Sequence, residues 1–158
     1  MLFRSPDEMD RKIFQKIELL FSSETPNIND KGYTYDSMMP DILNKFDKIN
    51  NAKTPKKKLN YIKEIMSDII NLVKFNEGED KQVGDDDIKP ILYYAFINAH
   101  PFKIYTDIQF IKIFLLEECK NDKNLEDFQE MYEHILNDTS PDKSSENPKQ
   151  TQKNLINE

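Results

Sequence analysis

The sequence predicts an all-α domain, and three observations carry the prediction. Glycine occurs only 3 times and proline 8 times in 158 residues, so the punctuation that many short strands require is missing. Strong helix formers such as Leu, Lys and Glu are abundant. Apolar residues recur at spacings of three and four along most of the chain, the period of a helix with one buried face. A length near ~150 residues suits one domain. The expected architecture is a layered helical unit of about six helices over residues 1–137, with a disordered tail or linker over 138–158.

Each element has its own signal. Ile13, Phe14, Ile17, Leu20 and Phe21 form the first periodic face, which the stretch from Pro26 to Gly32 ends. Met39, Ile42, Leu43, Phe46 and Ile49 form the second, stopping at Asn50 and Asn51. The third start is the best marked. Thr54 is placed to cap free backbone N–H groups, and Pro55 occupies the first helical position, where a missing donor costs nothing. Leu59, Ile62, Ile65, Met66, Ile69, Leu72 and Val73 then make a broad apolar face up to about Phe75. The polar segment 76–84 reads as a loop. Residues 91–99, apolar except for Asn98, suit a central helix ended by His100 and Pro101. Thr106 and Gln109 have capping-box spacing ahead of a fifth helix through Phe114. Asn124 is placed to cap a sixth, which carries Leu125, Phe128, Met131, Tyr132 and Ile135. From Asp138 onward large apolar residues nearly vanish, too few to offset the ordering entropy.

Composition excludes several functions. With Lys+Arg 22 against Asp+Glu 29, the net charge of -7 disfavours nucleic acid, and the basic run from Lys56 to Lys58 is too short to reverse that. The single cysteine, Cys119, rules out an internal disulfide framework and fits a reducing, cytoplasmic setting. No stretch reaches the ~20 apolar residues that span a bilayer, so no direct membrane insertion is expected. No phosphate-cradling Gly-rich loop, GxSxG, HExxH or CxxC is present, and two histidines leave little material for a metal site. His100 and His134 read as solvent-facing, and no cofactor or metal is expected. Residues 122–133 imitate a calcium loop in spacing, but Asp127 replaces the turn glycine and apolar residues recur at helical spacing. The acidic triplet Asp85, Asp86 and Asp87 offers a helix N-cap, a role that needs only one of the three.

Two runs together resemble a known family. Residues 49–59 (INNAKTPKKKL) and 84–94 (GDDDIKPILYY) are similar to the vacuolar-protein-sorting-nine domain, in which Thr-Pro and Lys-Leu open a long helix and an Asp-rich segment precedes a proline and a Tyr-bearing apolar helix. Residues 98–101 (NAHP) and 106–114 (TDIQFIKIF) continue the likeness, which is clearest over 42–114. The resemblance implies a guanine-nucleotide-exchange factor for Rab-five-type small GTPases, a catalyst of release without covalent chemistry. It also implies a cytoplasmic protein peripheral on early endosomes. It assigns Asp86, four residues before Pro90, as the catalytic finger, and Pro90, Asp87, Tyr94, Glu126 and Phe128 to GTPase contact. The Tyr and Thr that the family carries at its last helix are replaced. One alignment places Lys123 and Glu126 there, and another places Phe128 at the Tyr position. A module that binds a GTPase without accelerating exchange, and a plain structural bundle, are the competing readings.

Overall fold

The computed structural model describes residues 5–22, 33 and 37–138. Among them are seven helices and no strand: α1 (Pro6–Ser22), α2 (Met39–Asn51), α3 (Pro55–Glu77), α4 (Asp85–Ala99), α5 (Ile104–Phe114), α6 (Leu116–Cys119) and α7 (Lys123–Asn137). The all-α class is as predicted. The short α6 adds one helix to the expected set, while the proposed tail and the stretch from Pro26 to Gly32 lie outside the described residues, Asp138 excepted.

The long α3 is the spine. Thr54 Oγ1 accepts from the backbone N–H of Lys57 at 3.2 Å and Pro55 opens the helix, as the sequence signals require. Its buried face, from Leu59 through Ile62, Ile65 and Ile69 to Leu72 and Val73, meets α2, α4, α5 and α7. One face touching four helices explains why it is so broad. Helices α2, α4 and α7 each contribute one ring to the centre of the core. The Phe46 and Phe128 rings stack at 5.6 Å, and Phe96 lies 5.2 Å from each of them.

Helix α5 starts differently from the capping-box expectation. Thr106 lies inside the helix, and the donors of the first turn are satisfied by Asp10 of α1. The Asp10 carboxylate accepts from the backbone N–H of Tyr105 at 2.9 Å and of Thr106 at 3.1 Å, and from the Thr106 hydroxyl. Local capping was superseded because a carboxylate 96 residues away was carried in on the buried face of α1. Replacing Asp10 by alanine is expected to cost about 1–2 kcal/mol, as for other lost caps. Asparagine retains an acceptor and should recover most of that.

Burial raises the Asp10 carboxyl above its ordinary 3.8, outweighing the hydrogen bonds from Thr106 and Tyr105, and nearby Asp107 adds to the rise. A carboxyl that holds its proton more tightly when folded adds stability as pH falls through its folded pKa, in full below its unfolded value. Acidification from neutral pH toward 3.8 should therefore widen the stability margin of the native chain over Asp10→Asn, a shift read from thermal denaturation of both proteins.

A second buried polar knot joins three helices. Lys58, 4% exposed on α3, donates to the Ile49 carbonyl at the end of α2 at 2.9 Å and to Asp107 of α5 at 2.8 Å. Lys103 reaches the same Asp107 oxygen at 2.7 Å. His100, expected to face solvent, instead packs edge-on between Phe14 (5.8 Å) and Phe21 (4.9 Å) of α1, with the Glu18 carboxylate 3.7 Å away. Its left-handed backbone, φ 50, ends α4 and turns the ring back onto α1. At α7 the cap is Asp122 rather than Asn124: its carboxylate accepts from the backbone N–H groups of Asn124 at 3.0 Å and Leu125 at 3.1 Å. The calcium-like stretch is therefore a capped helix.

Candidate functional site

The acidic triplet opens α4, and its three members have separate fates. Asp87 accepts from the Gly84 backbone N–H at 3.0 Å, the reciprocal half of a capping box, and sits 3.5 Å from Lys81. Asp85 receives Lys123 of α7 at 3.2 Å. Asp86 is exposed and, among the described residues, has no hydrogen-bond or ion-pair partner. The cap that the triplet had to supply is thus taken by Asp87, whose carboxylate turns inward. Asp86 remains exposed at a helix N-terminus whose neighbouring carboxylates are engaged.

Pro90 is the sixth residue of α4, which begins at Asp85, within the triplet that the sequence offered as its N-cap, with Gly84 in the cap position. Proline lacks the N–H that would reach the Asp86 carbonyl, so that oxygen loses its usual intrahelical donor. Asp86, Lys89 and Pro90 are three and four residues apart and share one face.

Lys89 and Pro90, but not Asp86, line a cleft of about 440 Å³ between α4 and α7. Its floor is apolar: Ile88, Pro90, Leu92 and Tyr93 from α4, and Met131 from α7. Its walls are mostly acidic, with Asp85, Asp127, Glu130 and Asp138 against Lys89 and His134. Tyr93 and His134 meet edge to face at 5.9 Å across the cleft. Lys123 binds Asp127 at 2.7 Å as well as Asp85, tying the helices together at the mouth. Hydrogen bonding to Asp127 and then to Asp85 raises its pKa above the ordinary lysine value.

The residues expected from sequence are only partly brought together. Pro90 lines the cleft, and Asp86 stands one turn before it. Tyr94 is half-buried against the core and does not line the cleft, whereas its neighbour Tyr93 does. Glu126 is exposed but faces a second depression, formed with Lys112, Leu116 and Gln129. Phe128 requires correction: at 0% exposure, locked between Phe46 and Phe96, it has no surface to offer a partner. The other wall of the cleft is formed by α7. Asp127, Glu130 and His134 form a polar stripe at spacings of three and four beside the apolar face of α7, and that stripe is visible in the sequence.

A family model described as the vacuolar sorting protein 9 (VPS9) domain matches residues 39–146. The match covers α2 through α7, and α1 precedes it although it supplies the cap of α5. A search of curated proteins finds no match.

Proposed function

The chain belongs to the vacuolar sorting protein 9 domain family, a family of nucleotide-exchange domains for Rab-five-type GTPases, and from that premise we propose that it accelerates GDP release from such a GTPase with Asp86 as the inserted carboxylate. The observation that carries the reading is the division of labour in the triplet: Asp85 and Asp87 are engaged within the domain, while Asp86 is exposed and unpaired among the described residues, four residues before Pro90, which lines the α4–α7 cleft.

A small GTPase holds its nucleotide with a phosphate-loop lysine, backbone donors and a Mg²⁺ ion ligated by oxygens. A carboxylate brought beside that lysine competes with phosphate for it and repels the nucleotide's charge, so GDP leaves faster. No covalent bond is made or broken. Exchange factor and nucleotide weaken each other's binding reciprocally, so incoming GTP in turn displaces the factor. The apolar floor of the cleft can receive apolar side chains of the partner. Placement on early endosomes would follow from the partner.

The test is release of a fluorescent GDP from a panel of purified Rab proteins, with the native chain and with Asp86→Ala. Acceleration by the native chain is expected, together with a loss of at least about tenfold in the variant, worth ~1.4 kcal/mol of barrier. No acceleration of any Rab protein would defeat the proposal. A second reading, binding without exchange, draws on Lys123, which grips Asp85 and Asp127 and which one of the two alignments sets at a position of the family's tyrosine and threonine. Tight binding with an unchanged release rate would favour it.

A further inference from the structure

The largest exposed apolar side chains on adjacent positions lie far along the chain from the triplet, at the junction of α5 and α6. Ile113, Phe114 and Leu116 are 68%, 64% and 65% exposed. Phe114 rests edge-on against Phe110 at 4.9 Å, which holds its ring outward on a fixed support.

This ridge abuts the start of α3. Lys58 Nζ lies 5.9 Å from the Phe110 ring centroid, and Lys56 reaches Glu118 of α6 at 3.6 Å. Lys53 and Lys57, on either side of Lys56 in the chain, are exposed, and their side-chain ammonium groups have no partner among the described residues. The first turn of α3 contains no acidic residue, so its N-terminal dipole adds to the positive field. Lys120, just beyond α6, is also exposed. Against these stand Glu118, neutralised by Lys56, and Glu117. On a chain of net charge -7, this corner is locally positive and carries three apolar side chains.

The geometry points to a peripheral contact with an anionic lipid bilayer, in which Ile113, Phe114 and Leu116 enter the headgroup boundary while Lys53 and Lys57 meet lipid charge. Three side chains make too small an apolar surface for a stable protein interface, which needs roughly 800 Å² from each partner. In a bilayer the same side chains suffice for reversible binding when basic residues assist, because apolar burial and charge attraction add. A second copy related by a two-fold axis would bring the same lysines toward one another. The contact requires no spanning segment, and none of the described helices is long and apolar enough to cross a membrane. It stands independently of Asp86 and the exchange reaction.

Cosedimentation of the whole chain with phosphatidylcholine vesicles, with and without about 30 mol% phosphatidylserine, tests the contact. Binding is expected only to the anionic vesicles, weakening as salt rises. The triple variant I113S/F114S/L116S should lose at least about tenfold in partition coefficient. K53E/K57E should lose about fivefold or more per lysine. All five positions are exposed, and unchanged helical circular dichroism in both variants confirms that the fold is retained. Equal binding to neutral vesicles, no binding to either kind, or binding indifferent to the triple variant each overturns the inference. So does a dimer in solution that the triple variant dissolves, since the ridge would then be a contact between copies.

Discussion

Lys58→Ala is expected to destabilise the domain by about 3–5 kcal/mol, the usual result of removing one partner of a buried ion pair. The substitution orphans two acceptors at once, the Asp107 carboxylate and the Ile49 carbonyl. Lys103 continues to serve Asp107, which places the loss nearer the lower end of that range. Lys58→Met, which keeps the volume and the stem, should be about as damaging, because the harm lies in the acceptors left unmet rather than in a cavity. The double variant K58M/D107L should recover a large part of the loss, since replacing both partners of a buried pair by apolar groups is often nearly neutral. Urea denaturation of the four proteins checks the pattern. If Lys58→Met were as stable as the native chain, the knot would be incidental to the fold. The knot also bears on function, because it fixes the end of α2 and the start of α5 to α3, the helix on which α4 and α7 rest.

The same residues show what the sequence could and could not disclose. The number and order of the long helices followed from apolar periodicity, while the four-residue α6 was too short to carry such a pattern. The start of α3 was readable because Thr54 and Pro55 act on their own helix. Asp10 and Lys58 were equally visible in position: Asp10 leads the register of Ile13, Ile17 and Leu20, and Lys58 that of Ile62, Ile65 and Ile69. A charged residue on a core-facing stripe signals a partner. It does not say which, and here the partners lie 96 and 49 residues away. The Thr106 and Gln109 spacing misled for the same reason, since a tertiary carboxylate competed for those donors.

At the candidate site, the cluster Asp85 to Asp87 was legible as a cap or a probe, but the assignment among its members depended on Lys81 and Lys123. Only assembly brings Lys123 to α4. The α7 wall was hidden because Asp127, Glu130 and His134 belong to an ordinary polar flank until α4 is set beside them.

Phe128→Ala is expected to cost about 3–5 kcal/mol, the range for truncating a fully buried aromatic. Its ring is the α7 member of the Phe46, Phe96 and Phe128 cluster, so truncation opens a cavity between three helices at once. The flanking residues Asp127, Glu130 and Met131 form one side of the cleft, and exchange activity should fall with stability rather than separately from it. Phe128→Tyr separates packing from chemistry. Were this position the counterpart of the family's tyrosine, the added hydroxyl would raise the exchange rate. With the ring 0% exposed, the hydroxyl enters an apolar cluster and should cost about 1–3 kcal/mol as a buried unsatisfied group, with no gain in GDP release. Denaturation and the fluorescent GDP assay on the same preparation measure both quantities. A stable, faster Phe128→Tyr variant would place the ring at the partner's surface, contrary to its position between Phe46 and Phe96.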